Sequence, residues 1–214
     1  MTPTEIETSA RNKYNSIGDS FFSTSEILDY MWEGCLELTR EAKLIERVYT
    51  SSTVIAQQEY SYPTTTMSIK RITYEGRKLL PIDFVQDDSI TGFNAATTAQ
   101  GNPQYYFEFN ETIYLRPIPS AVGTLKIFSY NEPEKILTTS VLEIPVQFQS
   151  SLVNFIVSEM AAKDSNFSAS KHYSDRWEKA KLDIKKWQRL RLRGDSFSTV
   201  KDESQFLNNF LVRV

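Results

Sequence analysis

The chain has 214 residues, 40% of them hydrophobic and 24% charged, which places it among ordinary soluble domains long enough to bury a core without disulfides or metals. A formal net charge of −3 and a pI near 5.4 argue against a general nucleic-acid binder, which is basic as a whole. A single cysteine, Cys35, and a single histidine, His172, exclude an internal disulfide, a thiolate metal site and a His-based metal cage within one chain.

The polar start, MTPTEIETSARNKYN, has neither the basic lead nor the apolar centre of a signal peptide, and no apolar run is long enough to span a bilayer. A protein made in the cytoplasm, with no membrane partner, is the expectation. Thr2-Pro3-Thr4-Glu5 combines a cap hydroxyl, a proline at the first helical position and a glutamate able to reach back to the cap N–H, so a helix is predicted over 2–16. Gly18-Asp19 breaks it, and Ser23-Thr24-Ser25-Glu26 repeats the signal before a helix over 24–45. Ile27, Met31, Cys35, Leu38, Ala42 and Ile45 recur there at helical spacing, making Cys35 a buried, inert thiol rather than a reactive one.

From about 48 to 131 threonine, tyrosine, valine and isoleucine take over, which predicts an inserted antiparallel sheet or small sandwich. The first part reads as one or two strands with a turn near Gln57-Gln58, then two strands around Glu75-Gly76, where glycine accepts the positive φ of a tight hairpin. Residues 86–100 are small and polar, without a period, and read as a long loop. Tyr105, Phe107 and Phe109 alternate on one strand face, Asn110-Glu111 supply turn chemistry, and Ile113 and Leu115 continue a return strand. Arg116-Pro117-Ile118-Pro119 is expected to stop the pairing, because proline has no ladder N–H, and Gly123 reopens a strand with Leu125, Ile127 and Ser129 alternating.

Pro145 opens a helix predicted over 145–164, and a last helix over 168–192 carries Tyr173, Trp177, Ala180, Ile184 and Trp187 as one core-facing stripe. That helix also holds a basic block in which Lys185, Lys186, Arg189, Arg191 and Arg193 are candidates to face DNA or a protein partner. The plainer alternative is a solvated face with cations near the C-terminal end of the dipole. Residues 1–193 form the predicted domain and 194–214 a C-terminal arm. In the arm a polar spacer precedes Phe206, Leu207, Phe210, Leu211, Val212 and Val214, which need a pocket on a neighbour or on the chain's own core.

No catalytic constellation emerges. There is no Walker loop, dinucleotide fingerprint, nucleophile elbow or metalloprotease helix, so no catalytic, cofactor-binding or metal residues are assigned and no cofactor is expected. Asp87-Asp88 are adjacent acids in a polar loop, His172 reads as a surface or satisfied core residue, and Arg193-Gly194-Asp195 is too short to mean adhesion. Two functional classes remain. One is a structural assembly protein; the other is a carbohydrate-binding or tail-associated module, or an unrecognised carboxylate enzyme, using Tyr105, Tyr106, Phe107 and nearby acids as a sugar face.

The motif order adds a resemblance that favours the first class. An N-terminal helix pair is followed by Tyr62-Pro63, a strand turning at Gly76 and the Gly101-Asn102-Pro103 segment. Then come Ile113-Tyr114-Leu115-Arg116-Pro117-Ile118-Pro119, the Tyr130 to Pro133 strand end and a final helix pair. Over roughly residues 20 to 190 this order resembles the head-to-tail adaptor proteins of tailed bacteriophages. The resemblance implies an α+β fold, mostly helical with an inserted antiparallel sheet. It also implies a non-enzymatic virion protein of the head-to-tail interface, forming a dodecameric ring beneath the portal protein. Such a ring lines the DNA exit channel and offers a platform to downstream tail proteins, with non-specific contact to packaged DNA.

Overall fold

The computed structural model describes residues 1–83 and 99–195. Most of the polar stretch read as a loop, Asp87-Asp88 included, and the arm beyond residue 195 lie outside them. The fold is α+β: a helical body built from both ends of the described chain, and a β-sandwich inserted between its second and third helices.

Helix α1, Pro3–Tyr14, starts as its sequence demands. The Glu5 N–H donates to Thr2 Oγ1, the Thr2 N–H donates back to Glu5 Oε2 at 2.9 Å, and Pro3 fills the first turn. Helix α2, Thr24–Ala42, uses half of that device. The Glu26 N–H donates to Ser23 Oγ, but the Glu26 carboxylate turns away to accept from Tyr30 Oη at 2.7 Å and Lys163 Nζ at 2.6 Å. α2 ends three residues before the predicted limit, at Lys43 in the left-handed region (φ 50°). The predicted helix 145–164 is two pieces, α3 (Val146–Gln149) and α4 (Leu152–Lys163), because across the joint the Ser151 N–H donates to Phe148 O and the Asn154 N–H to Ser151 O, three residues back in each case. α5 spans Phe167–Asp195. Its stripe packs as predicted, with Trp177 against Phe155 and Trp187 against Phe148 at ring separations of 5.2 and 5.3 Å. In the body's core Ile27, Met31, Leu38, Leu152, Ile156 and Ile184 are almost completely enclosed. Each contributes about 1.5–3 kcal/mol relative to exposure.

The sandwich has two four-stranded sheets. One takes the order β1 (Glu46–Ser52), β10 (Thr124–Asn131), β3 (Thr66–Tyr74), β4 (Arg77–Lys78). The other takes β2 (Glu59–Ser61), β8 (Thr112–Arg116), β7 (Tyr105–Phe109), β5 (Leu80–Pro81). Ile72, Leu125 and Ile127 from the first meet Tyr106, Ile113 and Leu115 from the second in a separate apolar core. Both predicted hairpin turns are present. Glu75 and Gly76 (φ 47° and 76°), like Asn110 and Glu111 (φ 48° and 58°), place two consecutive residues in the left-handed region, as a twisted two-residue hairpin requires.

The two larger sheets are antiparallel as expected, apart from the two-residue β5, which runs parallel to β7. One expectation fails, because the prolines do not end pairing: β9 (Ile118–Pro119) pairs in parallel with β6 (Gln100–Gly101). The Ile118 N–H donates to Ala99 O and the Ser120 N–H to Gly101 O, so Pro117 and Pro119 occupy the alternate positions, where no ladder donor is needed.

Two substitutions test this account. A Cβ at Gly123 would lie 2.5–2.6 Å from the ring and hydroxyl of Tyr74, which is buried between the sheets. Gly123→Ala should therefore cost about 1–3 kcal/mol in urea unfolding. At the opposite turn, Glu111 holds φ 58° with no benefit visible from its side chain. Glu111→Gly should stabilise by about 1 kcal/mol; an unchanged midpoint would mean the turn carries no strain.

Candidate functional site

The basic block of α5 does not act as one surface. Lys181 is 6% exposed and reaches across to α2, with Glu37 at 2.5 Å and Glu41 at 3.7 Å, while Glu178 lies at 2.6 Å. Burial alone would lower its pKa, but the hydrogen bonds to Glu178 and Glu37 and the charges of Glu37 and Glu41 outweigh it and hold the ammonium above the ordinary lysine range. The indole N–H of Trp177 donates to the other Glu37 oxygen at 2.8 Å. Lys185 pairs with Glu41 at 2.8 Å, and Arg191 with Glu46 at 3.5 Å. Of the sequence-predicted candidates, then, Lys185 and Arg191 tie α5 to α2 and to the start of β1. Lys186 and Arg189 face solvent; Lys186 has a loose 3.6 Å pair with Asp183, and Arg189 has no ion pair among the described residues. The Arg193 side chain and the arm residues Phe206, Leu207, Phe210, Leu211, Val212 and Val214 lie outside the description.

The aromatic run of β7 is not a ligand face. Tyr106 points into the sandwich core, Phe107 on the opposite face stacks on Tyr114 with ring planes 2° apart at 4.7 Å, and both are enclosed. Successive strand residues alternate between faces, so Tyr105, Tyr106 and Phe107 cannot line one sugar platform. Burial, with a smaller push from Glu143, raises the Cys35 thiol to about 12, the inert state expected of it. His172 is exposed on α5. Among the described residues no three His, Cys, Asp or Glu side chains converge as a metal would require, and no helix is long and apolar enough to cross a membrane.

Two surfaces were not foreseen. At the end of the sandwich away from the helices, the 53–57 and 120–123 loops are tied together by the Thr53 N–H to Gly123 O and the Ala56 N–H to Pro119 O bonds. They present Val54, Ile55 and Val122, which are 53%, 54% and 67% exposed. The second is the outer face of the β1-β10-β3-β4 sheet, where strand register aligns Val48, Phe128 and Arg71 in one row and Lys126, Thr73 and Lys78 in the next. Its cations come from separate segments of sequence, and only the pairing register brings them together.

These are features of an assembly component. A sequence model of the SU10 adaptor protein family matches residues 1–200. The chain belongs to the SU10 adaptor protein family. It is thus a structural adaptor of the bacteriophage head-to-tail connector and a component of the virion. No curated protein matches it.

One electrostatic feature of the adaptor body is measurable directly. The carboxyl of Glu159 on α4 is held above its ordinary value by burial and by the charges of Glu33 and Glu37 on α2. A carboxyl whose folded pKa is raised weakens the fold at pH values above that pKa and not below its unfolded value. Glu159→Gln should therefore raise the melting temperature at pH 7, with the gain disappearing as pH falls below 4.5, the ordinary value. A gain of equal size at both ends of that range would assign the effect to packing.

Proposed function

We propose that the adaptor forms a closed ring beneath the portal protein, lines the DNA exit channel and presents a docking platform to downstream tail proteins, without enzymatic activity. The observation that carries this reading is the family match across residues 1–200. The architecture supports it: chemistry-bearing side chains such as Cys35 and Lys181 are consumed in packing, while Val54, Ile55 and Val122 are left exposed together at the sandwich tip. In this reading the helical body meets the portal and neighbouring copies, and the tip faces the tail. The solvent-facing Lys186 and Arg189 are offered to the portal, together with Arg193. A ring interface is heterologous, so contacts weak in pairs are stabilised by closure, and twelve copies is the stoichiometry this reading adopts. The apolar arm, Phe206 to Val214, reaches the portal or the adjacent copy across its polar spacer.

The isolated protein should be monomeric by light scattering and should form rings, visible by negative-stain electron microscopy, only when purified portal is added. Rings without portal, or no association with it, would remove the reading. Deleting residues 204–214 should leave the monomer's melting temperature unchanged and abolish stable attachment. A lowered melting temperature with attachment intact would instead make the arm part of the chain's own core.

A further inference from the structure

We propose that the outer face of the β1-β10-β3-β4 sheet is a sequence-independent contact surface for the phosphate backbone of double-stranded DNA, a role the sequence alone directs to α5. The inference names a partner surface within the adaptor reading and rests on it for the polymer concerned.

The face carries Lys43, Lys70, Arg71, Lys78 and Lys126, all exposed, in a chain whose net charge is negative. An open concavity of about 530 Å³ runs over it, lined among others by Val48, Lys70, Arg71, Lys78 and Phe128. Glu46 is the acid among its described lining residues, and it is already neutralised, by Lys70 at 3.4 Å and Arg191 at 3.5 Å. Lys43, Arg71, Lys78 and Lys126 make no ion pair among the described residues. This is the reverse of α5, where Lys181, Lys185 and Arg191 each have a carboxylate of the same chain. Four cations left unpaired within one sheet face repel one another, and a polyanion relieves that repulsion while releasing counterions.

The aromatic residues prepare the cations. The Arg71 guanidinium lies over the Phe128 ring at 4.3 Å, and Lys43 and Lys70 lie over the Tyr130 ring at 5.3 and 5.6 Å. Stacking fixes the guanidinium plane and leaves its N–H edges free to meet phosphate oxygens. The composition also discriminates between partners. Lysine is depleted at protein–protein interfaces and common among phosphate contacts, and four of the five cations here are lysines. The side chains are exposed and spread over three strands and the end of α2, which suits an extended polymer rather than a small anion. Among the described residues no helix or hairpin projects from the face to read bases, so the contact is with backbone.

The test is fluorescence anisotropy of a labelled 30-base-pair duplex of arbitrary sequence with the full-length adaptor at 50 mM salt. Binding should be detectable and indifferent to sequence. It should weaken with salt at a slope of log K against log salt of about −4, for four phosphates engaged. Arg71→Glu with Lys126→Glu should weaken it by about tenfold or more and flatten the slope, with an unchanged melting temperature showing that the variant folds. Lys186→Glu with Arg189→Glu is the comparison. Binding that follows this second pair and not the first would overturn the assignment to the sheet, as would no binding by the natural sequence. Should the sheet variant lose portal attachment while the natural sequence ignores DNA, the face meets an acidic protein and the proposal falls. Absence of DNA binding by the natural sequence with its portal rings intact counts against this inference alone, whereas failure of the natural sequence to join the portal counts against the adaptor-ring reading.

Discussion

A single enclosed carboxamide, that of Asn131, locks three strands together at the end of the sandwich that joins the helical body. It lies where β10 leaves the sheet, and every polar atom of its side chain is used. Ser129 Oγ donates to its oxygen at 2.8 Å, and its nitrogen donates to Tyr49 Oη at 2.6 Å and to Thr65 Oγ1 at 3.2 Å. Its backbone N–H donates to Ile45 O, the last residue before β1. Three strands, β1, β3 and β10, are thereby fixed to one another at the point where the chain enters and leaves the insertion. Leaving any of these enclosed groups without its partner costs about 1–3 kcal/mol, so the network tolerates no partial version of itself.

Around this centre several polar contacts cross the joint. Arg40 on α2 pairs with Glu132 at 2.8 Å, Arg47 on β1 pairs with Glu134 and Glu143, and the Trp32 indole donates to Pro133 O at 3.3 Å. The two apolar cores on either side stay separate. Exposed ion pairs contribute little individually, about 0–1 kcal/mol, so these pairs set direction more than they set stability. Within the helical body the same logic operates at higher stakes. Lys181 is enclosed and shares its charge among Glu37, Glu178 and, more loosely, Glu41, so that replacing the lysine would leave three carboxylates facing one another without their common cation.

Local chemistry was legible in the sequence wherever a feature depends on neighbours in sequence. The Thr2–Glu5 capping box, the Asn110-Glu111 and Glu75-Gly76 turns, the core stripes of α2 and α5 and the α+β class all follow from short windows, and all are present. What misled was also local. The block from Lys179 to Arg193 looked like a charged face because its cations are contiguous, but the carboxylates that neutralise Lys181, Lys185 and Arg191 lie some 145 positions earlier, on α2 and β1. Conversely, Arg71, Lys78 and Lys126 are scattered through the sequence, and only strand register makes them neighbours. The Pro117-Ile118-Pro119 run was read as a stop because proline lacks an N–H; alternation in a parallel ladder makes that lack harmless at every second position. Asn131 gave no signal at all, since a polar residue at a strand end is ordinary until its partners are known.

The polar character of the joint follows from what each alternative would do. An apolar seam of similar size would hold the two units together more strongly per unit area, but apolar contact has no direction, and two greasy surfaces can slide and rotate on one another. Hydrogen bonds with fixed donors and acceptors cannot: the Arg40 guanidinium meets Glu132 and the Trp32 indole meets Pro133 O in one orientation only. A polar joint therefore specifies the angle between sandwich and body at the expense of binding energy, which the two dry cores supply instead. Under the proposed arrangement, in which tip and body serve different neighbours, that angle decides whether both surfaces can be engaged together. An error of a few degrees at the joint displaces the far loops carrying Val54, Ile55 and Val122 more than any other part of the molecule, because they lie at the end of the sandwich remote from Asn131.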